Sequence, residues 1–170
     1  MGGGVLILLP GCRNKAASAS AAAVAAPSEI LKNFHMQDIR NGIVSMNLKA
    51  DEGQIFEDDH YAALAKPIVT FYKEGKPSSV MSAPEGKVYL NTHAVEGWGG
   101  VTVVTTDSTT LTTDRLNYDP DKQKIMTKDK VHIEKPDSIT DGVGLEADPE
   151  LKHVKVGHER VRQKKAVGTT

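Results

Sequence analysis

Apolar and polar residues alternate along the chain from about residue 34 onward, with little helical periodicity. The clearest stretches are residues 44–50, 68–72, 101–105 and 131–133, which are rich in Val, Ile, Thr and Tyr. A period of two residues is typical of β-strands that bury one face, and these residue types are enriched in strands. The pattern therefore predicts a chain built from short amphipathic strands.

Residues that favour turns separate these stretches about every 8–12 positions. The turn signals are Asn41-Gly42, Glu74-Gly75, Pro84-Glu85-Gly86, Asp107-Ser108, Asp119-Pro120, Lys135-Pro136 and Asp148-Pro149. Such close spacing favours antiparallel strands in an all-β architecture. At the usual strand and turn lengths, the folded part would contain about 12–15 strands.

Three segments repeat one pattern of strand, turn and second strand. They begin at Val69, Val101 and Val131, which are 32 and 30 residues apart. Related junctions that start with a small residue follow the segments, and one more precedes them: Ala50, Ala83, Thr113 and Ala147. A near-fixed period indicates one supersecondary unit stacked on itself, because a single unit cannot bury its own apolar face. With no helices predicted to cover the strands, their inner faces must meet, which predicts a sandwich or a jelly roll.

The N-terminal residues predict export and attachment to a membrane. Residues 1–12 contain a short apolar run followed by Pro10-Gly11-Cys12, which resembles the end of a bacterial lipobox. Because a basic n-region is missing, we expect a truncated signal with the translation start upstream and a lipidated Cys12; the alternative is the remnant of a signal or anchor helix. Residues 13–33, rich in Ala and Ser, are predicted to form a flexible tether.

Composition excludes several classes of function. The net charge of −1 gives no global attraction to nucleic acid, and a single cysteine permits no intramolecular disulfide. The six histidines lack the spacing of a zinc site, and the sequence holds no nucleophile elbow. We therefore predict no enzyme, metal or cofactor. Residues 158–170 form a basic C-terminal tail, interpreted as a frayed end or as a contact for anionic lipid headgroups.

Five segments of the chain form one series: residues 48–53, 69–77, 83–86, 113–119 and 142–148. Together they resemble the LptC family, the periplasmic subunit of the lipopolysaccharide export ABC transporter. The resemblance covers residues 34–157 and implies a twisted antiparallel β-jelly roll whose apolar interior holds the acyl chains of lipopolysaccharide. One departure concerns anchoring, since the family usually has an N-terminal transmembrane helix and this chain has only the short apolar run.

The resemblance also implies partners and a location. The protein would sit in the periplasm, anchored to the inner membrane, and receive lipopolysaccharide from the permease subunits of the ABC transporter. It would pass the lipid to a related periplasmic bridge protein by pairing of edge strands. Two alternatives remain at this stage: a bridge protein of the same fold, and a structural or glycan-binding surface lipoprotein with a filled β-sandwich core.

Inward positions of the predicted strands are the candidate lipid-binding residues, and ordinary core packing is the alternative role of each. The candidates are Met46, Leu48, Ile55, Val69, Phe71, Met81, Val88, Leu90, Val101, Val103, Leu111, Leu116, Val131, Ile133 and Leu145. Phosphate groups of the lipid would favour basic side chains near an opening, for which Lys66, Lys73, Lys87 and Arg115 are candidates. The last predicted strand, residues 152–156, carries lysines that protect an edge or contact a partner.

Overall fold

The computed structural model describes residues 26–164, which form twelve β-strands and no helix. The prediction of an all-β chain is confirmed. The strands are β1 (Glu29–Arg40), β2 (Ile43–Phe56), β3 (Tyr61–Ala65), β4 (Ile68–Lys73), β5 (Lys76–Ser82), β6 (Glu85–Tyr89), β7 (Val95–Thr105), β8 (Thr110–Asp119), β9 (Lys124–Glu134), β10 (Ser138–Ala147), β11 (Val154–Val156) and β12 (Arg160–Gln163).

The long strands bend and contribute to two layers at once. Residues 46–49 of β2 pair with β4, whereas residues 52–56 pair with β3. In the same way, residues 95–98 of β7 pair with β6 and residues 102–105 pair with β5. All pairings are antiparallel, so the chain forms a jelly roll in which the same strands build both layers.

Each layer contains nine strand segments in a fixed order. The first layer runs β1-β2-β4-β5-β7-β8-β9-β10-β12, and the second runs β1-β2-β3-β6-β7-β8-β9-β10-β11. The predicted repeat corresponds to the first layer, where Val69, Val101 and Val131 lie on β4, β7 and β9. Each of these strands pairs with the next strand in sequence, as the repeat predicted.

The strands cross between layers at bends that the sequence marks with small residues. In β7 the pairing register shifts between Trp98 and Val101, where Gly99 and Gly100 have φ values of 85° and 103°. Such angles favour glycine. Residues 99–100 thus form a bulge inside β7. The junctions at Ala50 and Ala83 also lie where the chain changes layers.

Two predicted boundaries differ from the structure. Strand β1 begins at Glu29, so residues 29–33 belong to the sheet and not to the tether, and β12 lies in the segment predicted as a frayed tail. Strand β12 was missed because it is short and Val161 is its single apolar residue among Arg and Gln. Residues 1–25, with Cys12 and most of the predicted tether, and residues 165–170 lie outside the described part.

The inner faces of the two layers meet in one apolar core. It joins residues from every strand from β1 to β10, and Phe71 of the first layer contacts Tyr118 of the second edge to face, with ring centroids 4.7 Å apart. Edge-to-face contact is a preferred geometry for aromatic pairs. The core is therefore continuous along the whole length of the jelly roll.

Candidate functional site

All fifteen predicted lipid-binding residues lie in this interior. Thirteen are buried, and Ile55 and Leu90 are partly buried and packed against the others. They come from both layers and contact one another in the described conformation. An acyl chain could therefore replace these contacts only if the two layers separate, and whether lipid occupies this interior stays a prediction.

Apolar inner side chains continue to both edges of the jelly roll. Leu31 and Met36 on β1 are partly buried at one edge, and Val154 and Val156 on β11 are partly buried at the other. Val161 on β12 lies opposite Thr140 on β10, on the inner side of the first layer, and is 57% exposed. The interior is thus open to another apolar surface at its ends.

One long side of the jelly roll is closed by the bends, and the opposite side, here called the mouth, is bridged by side chains. The mouth lies between the β1–β2, β4–β5 and β7–β8 turns of the first layer and the β6–β7, β8–β9 and β10–β11 loops of the second. Asp38 on β1 contacts His93 across it at 2.7 Å. Arg40 contacts Asp38 at 2.8 Å and Asp121 at 3.4 Å. These residues connect the layers at the β1 end.

Asp38 is a buried carboxylate with three side-chain partners. Burial by itself would raise the pKa of Asp38, but hydrogen bonds with Ser45, His93 and Arg40 outweigh that effect and lower the pKa to about 2. The Ser45 hydroxyl donates to the carboxylate at 2.7 Å. Because these partners hold the ionised form, Asp38 stabilises the fold as an anion.

We expect Asp38→Asn to lower the free energy of unfolding by about 2 kcal/mol at pH 7. The pKa of Asp38 lies below its ordinary value of 3.8, so its contribution is complete above about pH 4 and is lost as the pH falls to about 2. Urea unfolding of both proteins across this range measures the difference. Asp121→Asn is the control, because Asp121 is 83% exposed and should change stability little. A difference that persisted at pH 2 would contradict this assignment.

A second group of polar contacts bridges the mouth near β11. Lys152 of the β10–β11 loop pairs with Asp107 of the β7–β8 turn, and Ser78 donates to Glu150 at 3.5 Å. Hydrogen bonds from Lys152 and Thr105 hold the pKa of Asp107 well below its usual range. Ion pairs and hydrogen bonds between the two layers therefore hold the mouth closed near both of its ends.

Strands β11 and β12 together form the terminal edge of the sheet, as one bent strand that lies beside β10. Strands β11 and β12 pair with β10 in the same register, residues 145–147 with 154–156 and residues 138–141 with 160–163. Hydrogen bonds link Gly157 N–H to the Gly144 carbonyl and Asp148 N–H to the His153 carbonyl. By the alternation of an antiparallel ladder, the N–H groups of Val154 and Val156 point to the outer edge. No strand within residues 26–164 pairs with this edge, so the two groups can pair with an added strand.

Among the predicted phosphate contacts, only Lys73 lines the mouth. Lys66 pairs with Asp51 at 3.1 Å, Lys87 lies over the Tyr61 ring at 4.3 Å, and Arg115 lies over the Trp98 ring at 5.9 Å.

The residues that bridge the mouth were not predicted from the sequence. They lie far apart in the chain, and only the polar Asp38 among apolar inward positions of β1 could have signalled one of them.

The arrangement defines a class of protein, a two-layered jelly roll whose continuous apolar interior is open at its ends and fastened along a polar mouth. The family model for LptC-related lipopolysaccharide-assembly proteins matches residues 5–162, and the chain belongs to this family. It is therefore a non-enzymatic component of lipopolysaccharide transport, and the alternative of a structural or glycan-binding lipoprotein is not favoured.

Among solved structures, the chain is similar to LptH from Pseudomonas aeruginosa, described as the LptA homologous periplasmic component of the conserved lipopolysaccharide transport device. The likeness covers 71% of this chain and 94% of LptH, with a TM-score of 0.56 and 11% sequence identity. At this identity it demonstrates a shared fold. A comparison with curated proteins gave no match.

Two features are absent from residues 26–164. This part of the chain has no helix with the length and apolar character needed to cross a bilayer. Nor does it bring three or more His, Cys, Asp or Glu side chains together in a group that could hold a metal ion.

Proposed function

We propose that this protein acts in the periplasm, held at the inner membrane by its N-terminal segment through Cys12 or an apolar anchor. It receives lipopolysaccharide from the permease subunits of an inner-membrane ABC transporter and passes it to a periplasmic bridge protein. The observation that carries this proposal is the apolar interior that runs between two open edges. LptH, a periplasmic transport component with the same fold, supports the location.

The energy of lipid transfer explains why such an interior is useful. Exposing one acyl chain of about 12 carbons to water costs roughly 10 kcal/mol, at about 0.8 kcal/mol per methylene group. A lipid with several chains therefore needs an apolar path through the periplasm. The inner faces of this jelly roll offer that path, with side chains such as Val69, Met81 and Leu116 from both layers.

Site-specific photo-crosslinking in cells tests this proposal. A photo-reactive residue at Val103 should capture lipopolysaccharide, because Val103 is completely buried in the interior. The same residue at Val104 is the matched control, since that neighbouring side chain points outward and is 45% exposed. Equal capture at both positions, or none at Val103 in a folded protein, would contradict transport through the interior.

Docking of the bridge protein is assigned to the edge formed by β11. Pairing with an added strand would use the outward N–H groups of Val154 and Val156. We expect Val154→Pro to weaken binding of the bridge protein by removing one outward donor while leaving the bonds to β10 intact. Val154→Ala retains the donor and is the control. Binding measured by pull-down that fell equally in both variants would assign the effect to packing instead of strand pairing.

A further inference from the structure

The middle of the mouth contains a cavity of about 460 Å³ between the two groups of bridging contacts. Its lining includes Phe71 and Tyr118, the aromatic pair in which the layers touch. Both rings belong to the apolar core, so this is a place where the interior approaches the surface. The rest of the lining is mainly polar and comes from β2, β4, the β8–β9 turn, the start of β9 and the β10–β11 loop.

Basic side chains predominate around this cavity. Four lysines line it, together with two carboxylates: Lys73, Lys122, Lys124, Lys152, Asp148 and Glu150. The carboxylates are already engaged, since Asp148 accepts from the Lys152 and His153 backbone and contacts the His153 ring, and Glu150 accepts from Ser78.

Two of the four lysines are not engaged in an ion pair within residues 26–164, so their charge is free to attract an anion. Lys122 pairs with Asp119 at 2.9 Å, and Lys152 pairs with Asp107. Lys73 on β4 and Lys124 on β9 form no ion pair with any residue of the described range 26–164. They belong to opposite layers, so an anion between them would offset their mutual repulsion and hold the layers together.

Tyr118 also lines this cavity and carries a hydroxyl group. Tyr118 is only 4% exposed, and within the described part of the chain its hydroxyl makes no hydrogen bond. Burial raises the pKa of Tyr118 to about 12, so the hydroxyl stays protonated and can donate. A protonated hydroxyl at the cavity can donate a hydrogen bond to an anion bound there.

We propose that this cavity binds a phosphate group, with Lys73 and Lys124 as the charged contacts and the Tyr118 hydroxyl as a donor. Resting on the proposed function, the phosphate is that of a lipid whose acyl chains enter the interior beneath Phe71 and Tyr118. The amphiphile then has its apolar part in the core and its anionic group at the mouth. A free phosphate would satisfy the same contacts without using the core.

The test compares the affinity of the full chain for lipid A and for dephosphorylated lipid A. We expect the wild type to prefer the phosphorylated form by roughly tenfold or more, as charge-assisted contacts of ordinary strength would give. Lys73→Gln/Lys124→Gln should remove the preference, and Tyr118→Phe should reduce it. Lys128→Gln/Lys130→Gln removes the same charge from exposed positions outside this cavity and should keep it. Equal loss in both double variants would overturn the site and leave only a net-charge effect.

Inorganic phosphate separates this site from the transport proposal. Titration with inorganic phosphate, followed by NMR, should shift the backbone amide signals of residues 73 and 124 in the wild type. The same signals should not shift in Lys73→Gln/Lys124→Gln. If phosphate binds but neither lipid does, the anion site stands and transport through the interior fails. If both lipids bind equally well and phosphate shifts nothing, the anion site is wrong while the transport proposal survives.

Discussion

Fastening the mouth covalently should abolish the capture of lipopolysaccharide. Asp107→Cys/Lys152→Cys would place two thiols on opposite layers, at side chains that are in contact in the wild type. A short dimaleimide would then link the layers permanently. Because the fifteen interior residues contact one another, acyl chains cannot enter unless the layers separate. Photo-crosslinking to lipopolysaccharide at Val103 should therefore fall to the level of Val104.

The control is the same double-cysteine protein with both thiols capped by N-ethylmaleimide. Capping removes the ion pair without linking the layers, so capture should remain or increase. If the linked protein captured lipopolysaccharide as well as the capped one, the lipid would have to enter through the open edges at β1 or β11. That result would contradict entry through the mouth while leaving the apolar interior as the path.

Replacing Phe71 by Ala should give the largest loss of stability among single substitutions of the interior. Phe71 is 1% exposed and is the largest of the completely buried side chains. Its removal forfeits the transfer free energy of the ring, leaves a cavity and breaks the contact with Tyr118. Substitutions of this kind cost about 3–5 kcal/mol, a large part of the stability of a domain of this size. Urea unfolding monitored by circular dichroism measures the change.

Phe56→Ala provides a matched comparison. Phe56 also pairs with an aromatic ring, stacking on Tyr61 with centroids 4.7 Å apart, but it is only partly buried at the end of β2. We expect its loss to cost clearly less than that of Phe71, since less apolar area leaves water when the chain folds. Equal costs would contradict the expectation that the more deeply buried ring contributes more to stability.

The strand content and the repeat could be predicted because they depend on local alternation and turn chemistry. Val69 marks β4, Val101 and Val131 mark the first-layer halves of β7 and β9, and each strand is followed by a turn and its hairpin partner. In the first turn of the repeat, Glu74 and Gly75 have φ values of 51° and 75°, as a two-residue hairpin requires. The inward candidates followed from the same alternation, and all lie in the core.

The mouth could not be predicted, because it depends on contacts between loops that are distant in sequence. Asp38 and His93 are 55 residues apart, and Asp107 and Lys152 are 45 apart. Neither pair has a local spacing that would signal a contact. The anion site is equally dispersed, since Lys73 and Lys124 resemble any other exposed lysine until the fold places them beside one cavity.

Because β2, β7, β8, β9 and β10 each run through both layers, the row of bends acts as a shared hinge. One layer cannot slide past the other without breaking a strand, so the available movement is a rotation about the line of bends, with glycine at Gly99, Gly100 and Gly144. Backbone hydrogen bonds between neighbouring strands transmit that rotation along each layer. If acyl chains enter through the mouth, as proposed, the first of them must open a long stretch of it. Later chains meet a groove that is already parted, so we expect lipid binding to be cooperative in the number of acyl chains.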